Sequence, residues 1–181
     1  MIKIPPLPKD EWTEEQSSAF SHLVSADTTK VPDAVGIVLR HPQLFEAWYP
    51  FGQVLQNTGR LPPRDREILI LRVAIHCDCA YVWAKHESFA GCFDLDPDEV
   101  HRVSIGAGAA GWSDWERVLI CAADELCAHT RISKPTWTKL SQRYDEAQLI
   151  ECLFLVGEYR LLSGLFNSIA IETPELERRT R

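Results

Sequence analysis

Apolar side chains recur along this chain at intervals of three and four, and nowhere at intervals of two, so the pattern predicts helices throughout. Trp12, Phe20 and Leu23 give an apolar face to a helix over Thr13–Val24, and Val35–Leu39 is a short apolar helix stopped by Pro42. Leu44, Trp48, Phe51 and Leu55 mark an amphipathic helix over Gln43–Asn57, ended by Thr58 and Gly59. Pro62 and Pro63 then open the next helix, in the favoured first-turn position. From about Pro63 to Ile75 it is apolar nearly all round, which predicts burial on most sides. A short polar turn separates it from a second helix over Cys79–Cys92. Asp96 is a plausible N-cap for a helix through Val103. Ser113 and Glu116 form a capping-box pattern ahead of an amphipathic helix over Trp115–His129, with Val118, Leu119, Ala122 and Leu126 inward. Ser133–Tyr144 and Glu146–Ile171 complete the set, the last burying Leu149, Leu153, Val156, Leu161, Leu165 and Ile169. The prediction is an all-α, multihelical domain of eight or nine helices spanning residues 1–181. Residues 1–40 are expected to be an N-terminal extension packing on the core. Pro5, Pro6 and Pro8 make its start an extended arm laid on another surface.

Charge narrows the partners. The net charge is −7 and no Lys/Arg cluster is long enough to track phosphates, which argues against nucleic acid. The longest apolar run, around Leu149–Val156, is broken by Glu151 and then Glu158, short of the roughly 18–20 residues of a membrane span. The N-terminus lacks an apolar core of signal-peptide type. A soluble, cytoplasmic protein is therefore expected, with its six cysteines mostly reduced. Cys121, Cys127 and Cys152 fall in apolar helical patterns and read as small core residues.

The chemistry gathers between Leu61 and Phe93. Glu67 and Arg72 sit inside an otherwise apolar helix, where burial demands a partner, an interface or a cleft. Glu67 can orient a catalytic group or shuttle a proton, or it can be an ion pair with Arg64 or Arg72. His86 carries an imidazole, which titrates near neutrality and suits general acid–base work; the alternative is a histidine satisfied inside a helical core. Cys79 lies at a helix N-terminus, where the dipole favours a thiolate, or is a first-turn packing residue. Cys77 forms a Cys-x-Cys with it, a spacing at which a disulfide is strained. His76, Cys77, Cys79 and His86 do not have the spacing of a zinc finger. Tyr81 and Trp83 either line a small-molecule pocket or belong to the core. Tyr159 and Asn167, polar groups on the last helix, need partners and are candidates for the same pocket.

Taken together these segments resemble the carboxymuconolactone decarboxylase family, which shares its fold with the alkylhydroperoxidase AhpD. The carriers are LPPRDREILILRVA at 61–74, CAYVWAKH at 79–86, SDWER at 113–117, AADEL at 122–126 and VGEYRLLSGLFN at 156–167, and the resemblance covers about residues 40–171. It implies an all-helical fold that assembles as a homo-oligomer (dimer, trimer or hexamer), with no metal and no cofactor. It implies His86, Glu67 and Cys79 as catalytic residues, by their match to the histidine, glutamate and first cysteine of the peroxidase branch. The second cysteine of that branch falls on Val82, so its thiol relay is broken here. Cys79 is about 10 Å along the helix axis from His86, beyond direct hydrogen-bond reach.

Three functions follow. The first is a lyase-type enzyme doing cofactor-free acid–base chemistry on a small carboxylated or lactone-type molecule. There His86 delivers a proton, Glu67 tunes it, and Arg72 with backbone N–H groups holds the substrate carboxylate. The second is a thiol-dependent peroxidase, an oxidoreductase using Cys77 and Cys79. The third is a non-catalytic helical oligomer.

Overall fold

The computed structural model describes residues 4–24 and 31–171. Nine α-helices and no strand are found among them. Contacts divide the chain into two compact units, residues 1–59 and 60–181. The sequence reading drew its one internal line at residue 40 instead, at the end of the extension.

The first unit holds α1 (Glu14–Leu23), α2 (Asp33–Val38) and α3 (Pro42–Gln53). Thr13 and Gln16 close a capping box at the start of α1. The proline-rich arm lies along α2: Leu7 N–H donates to Gly36 O at 3.1 Å, and Arg40 Nε donates to Pro5 O at 2.9 Å. Gly36 allows this approach, since a Cβ there would meet Leu7 N at 3.2 Å and Pro6 Cβ at 3.3 Å. Trp12, Phe20 and Phe45 form an aromatic core, with successive ring centroids 4.8 and 6.5 Å apart. Such pairs add to the area they bury. Pro50 lies inside α3 and removes a backbone donor. The helix gives way at Val54 to a wider π turn ending at Thr58, where the spacing alone predicts a continuous helix to Asn57.

The second unit is built around α4 (Pro63–His76). Every residue from Asp65 to Leu71 is buried, as the all-round apolar pattern requires. It packs against α5 (Ala80–Glu87), α6 (Pro97–Ile105), α7 (Asp114–His129) and α9 (Glu146–Ile169). The short α8 (Lys134–Ser141) packs on α7 and α9. Polar contacts show that α4, α7 and α9 run in the same direction. Asp65, near the start of α4, accepts from Trp115 Nε1 of α7 at 3.0 Å; the Tyr144 hydroxyl, just before α9, donates to the same oxygen at 2.7 Å. At the other end, Arg72 meets Asp124 of α7, and Asn167 of α9 reaches Cys77. The helix starts use the caps their sequences specify: Asp96 with Glu99, Ser113 with Glu116, and Asp145 with Gln148 each form a capping box.

α4 and α5 form a tight antiparallel hairpin. Cys77 caps α4, Asp78 takes a left-handed conformation at φ 48°, and Cys79 is the N-cap of α5. Cys79 N–H donates to Ala74 O at 2.9 Å and Asp78 N–H to Ile75 O at 3.1 Å. This is a Schellman closure with aspartate where glycine is usual. It folds α5 back along α4 and so decides what α5 faces. α5 itself ends at Glu87; a single 3₁₀ turn at Ala90–Phe93 replaces the continuous helix to Cys92 that the spacing predicts.

Candidate functional site

Hairpin closure brings α5 back to the first half of α4, and His86 meets Glu67. His86 Nδ1 and Glu67 Oε1 are 2.8 Å apart; the Glu67 side chain is 1 % exposed and the His86 side chain 16 %. A carboxylate at this position accepts from Nδ1–H, which fixes the tautomer and leaves Nε2 to take or give a proton. Tyr159 of α9 completes the group. Its ring meets the imidazole edge-on, with centroids 5.1 Å apart and planes at 79°. Its hydroxyl is buried with no hydrogen-bond partner among the described residues. Burial first, and the Glu67 charge second, push the phenol's pKa well up, so it is a donor at neutral pH.

Arg66 is a member of this group that the sequence reading missed. It is 9 % exposed, stacks on the Phe93 ring at 5.2 Å, and its charge acts on the Tyr159 phenol. No carboxylate pairs with it among the described residues. A nearly buried guanidinium left without a counter-ion is a ready receptor for an anion. The signal was present as a cation next to Glu67 in an apolar helix. Arg72 carried the same signal and drew the assignment.

The structure corrects the role assigned to Arg72. Its Nε and Nη2 donate to the two oxygens of Asp124 at 2.5 and 3.1 Å, and its Nη1 donates to the carbonyls of Val103 and Ser104 at 2.9 and 3.1 Å. This guanidinium ties α4 to α6 and α7, with four of its five N–H donors engaged, so it serves as a structural tie rather than a substrate clamp. Gly106 makes room for it: the backbone there is left-handed at φ 104°, and a Cβ would fall 2.8 Å from Arg72 Nη2. Arg64, the other cation considered for Glu67, instead pairs with Glu99 and Glu116 at 2.6 and 2.5 Å.

Asn167 is likewise placed elsewhere. Its Nδ2 donates to Cys77 O at 2.7 Å and closes the α4–α5 turn against α9. Tyr81 is 6 % exposed and packs edge-on against Phe166 at 4.9 Å, a core contact. Trp83 is half-buried on α5. Cys79 is 1 % exposed and caps the helix without a side-chain hydrogen bond. Val82, one turn before His86, is buried, so an apolar side chain occupies the place a second thiol would need. Cys77 is half-buried rather than paired with Cys79, and all six cysteines are free. Of the three residues read as small core cysteines, Cys152 is buried, whereas Cys121 and Cys127 are half-exposed on α7. Burial pushes the Cys152 thiol up to about 12. His76 bonds Asp124 at 2.7 Å. Among the described residues no group of three or more His, Cys, Asp or Glu side chains is arranged to hold a metal ion. No helix among them is long and apolar enough to cross a membrane.

A buried carboxylate–imidazole pair on a helical hairpin, framed by parallel helices, belongs to a fold already known from solved structures. An uncharacterised peroxidase-related protein from Silicibacter sp. TM1040 superposes with a TM-score of 0.75 at 14 % identity, covering 94 % of this chain and 87 % of that one. The alkylhydroperoxidase AhpD core of an uncharacterised peroxidase-related protein from Ralstonia eutropha JMP134 gives 0.75 at 15 % identity, covering 95 % and 93 %. The debrominase Bmp8 gives 0.72 at 12 % identity, covering 95 % and 92 %. The all-α architecture is thus that of the AhpD-like proteins. Residues 42–125 match the model of the carboxymuconolactone decarboxylase family. No curated protein matches the chain.

Proposed function

We propose that this protein is an enzyme of cofactor-free acid–base chemistry acting on a small carboxylated or lactone-type molecule, by decarboxylation or a related lyase or isomerase step. One observation carries the reading: the Glu67–His86 pair, at 2.8 Å, is flanked by a buried phenol without a partner among the described residues. Leaving such a hydroxyl unpaired costs on the order of 1–3 kcal/mol, and a substrate oxygen would recover it. The match of residues 42–125 to the family model supports an enzyme. A debrominase of this fold binds 2,3,4-tribromopyrrole, a small ring, which supports a small-molecule site.

In this reading Arg66 holds the substrate's anionic group. The carbon–carbon bond to a carboxylate breaks, carbon dioxide leaves, and the electron pair passes into the conjugated system. Tyr159 donates to the oxygen that gains charge. His86 delivers the proton to carbon from Nε2, while Glu67 holds Nδ1–H and stabilises the imidazolium. General acid catalysis of this kind supplies on the order of 10²–10⁴-fold.

The thiol-peroxidase alternative has less support here. Its first cysteine, Cys79, is 1 % exposed, and Val82 replaces its resolving partner. A non-catalytic oligomer is weakened by the same Glu67–His86–Tyr159 grouping, since a scaffold has no need of a buried unpartnered phenol. Assembly as a dimer, trimer or hexamer is part of the proposal and is read by sedimentation of the native protein.

The test is carbon dioxide release from carboxymuconolactone and related unsaturated acids. His86→Ala should lower turnover by about 100-fold or more, with the helical circular dichroism unchanged. Cys79→Ser should retain most of it. The reverse ranking, with hydroperoxide consumed, would transfer the assignment to the thiol.

A further inference from the structure

The thiols that can meet in this fold are not the two close in sequence. Cys77 caps α4, and Cys127 lies in the last turn of α7. Three contacts hold these helix ends in register. His76 bonds Asp124 at 2.7 Å, Asn167 Nδ2 donates to Cys77 O at 2.7 Å, and Arg160 Nη1 donates to Leu126 O at 3.1 Å. They pin the residues beside each cysteine and bring the two helix ends that carry the thiols together. Both cysteines are half-buried, so a small reagent can reach them, whereas Cys79 is enclosed.

We propose that Cys77 and Cys127 form a reversible intrachain disulfide that latches the α4–α5 turn to the end of α7. The oxidant is a low-molecular-weight disulfide such as glutathione disulfide. One protein thiolate attacks it, forming a mixed disulfide and releasing one thiol. The second protein thiolate then attacks the mixed disulfide, closes the protein bond and releases the other. Two protein thiols lose two electrons and two protons; the reagent disulfide becomes two thiols.

The surroundings make this a latch rather than a turnover pair. Burial raises the Cys77 thiol; it also pushes Cys127 up to about 11, with the neighbouring Cys77 adding to the effect and the Arg160 charge opposing it. Thiols whose thiolates are not stabilised react slowly. Once joined, they hold a disulfide that is hard to reduce.

The sequence supplies a clean assay. Asp78 separates Cys77 from Cys79, and Asp124 separates Cys121 from Cys127, so cleavage at aspartate places the four cysteines on different peptides. The native, reduced full-length protein is incubated with excess glutathione disulfide and mapped without reduction. The expected product has lost two hydrogens and contains one linked pair of peptides, bearing Cys77 and Cys127. Its apparent melting temperature rises by roughly 5–10 °C, because the bond closes a long loop. Cys127→Ser should abolish the loss of two hydrogens and leave glutathione on Cys77. A link from Cys77 to Cys79, a link elsewhere, persistence of the bond in Cys127→Ser, or unreacted Cys77 and Cys127 in the wild type would each overturn the proposal.

Discussion

At the scale of single residues, sign separates function from packing. Tyr159→Phe removes a hydroxyl that has no partner among the described residues. Its stability should therefore be unchanged or higher, by up to about 1 kcal/mol, while turnover falls. Urea melts set beside initial rates check this, and a parallel loss of both would make the phenol structural. Arg66→Met should raise KM for an anionic substrate at least about tenfold, with a smaller change in kcat, because the guanidinium is assigned to binding. Arg72→Met should behave differently. It leaves two carbonyls without their donor and Asp124 with only His76, so it should destabilise the fold by about 2–4 kcal/mol whatever the substrate. The two arginines differ by six positions on one helix and are distinguished only by what packs against them.

At the scale of elements, the α4–α5 hairpin controls the site. Asp78 holds a left-handed conformation at φ 48°, which aspartate tolerates and a β-branched residue does not. Asp78→Gly should leave stability unchanged or raise it by under about 1 kcal/mol. Asp78→Val should cost about 1–2 kcal/mol and lower activity by loosening the Glu67–His86 contact. Thermal melts and rates of both variants test whether the turn sets the geometry. Gly106 is the second hinge point. A methyl group there would strike the Arg72 guanidinium, and φ 104° penalises any side chain, so Gly106→Ala should cost about 1–3 kcal/mol.

For the whole molecule, charge couples stability to pH. Arg64 binds Glu99 and Glu116 together, at 2.6 and 2.5 Å. The hydrogen bond from Arg64 lowers Glu99 below the ordinary 4.5. Burial alone would raise Glu116, but its bonds from Arg64 and Ser113 outweigh that and lower it too. Carboxyls depressed in the folded state stabilise it fully above their unfolded value and lose that contribution as pH falls through the folded one. The melting temperature should therefore drop as pH falls from about 5 to about 3. In Arg64→Met the drop should be shallower, starting from a lower value at neutral pH.

The sequence by itself determined the helical class, most helix starts and the family resemblance. Helical periodicity, capping pairs and the burial of α4 are local properties, written within one turn or one face. Ser113 with Glu116 and Asp96 as a cap could be read because their partners lie three residues away. The Glu67 and His86 candidates were legible from family spacing, but their contact was not, since it depends on the hairpin closure at Asp78. Tertiary structure alone decided which arginine is occupied, which phenol lacks a partner among the described residues and which cysteines sit on neighbouring helix ends. Arg72 and Arg66 look alike in a buried helix until α7 offers Asp124 to one and the Phe93 ring lies under the other. Cys127 looks like a core residue until the parallel packing of α4 and α7 sets its helix end beside that of Cys77, fifty positions away. Pairings at that separation are set by how helices pack in space, which no local pattern encodes.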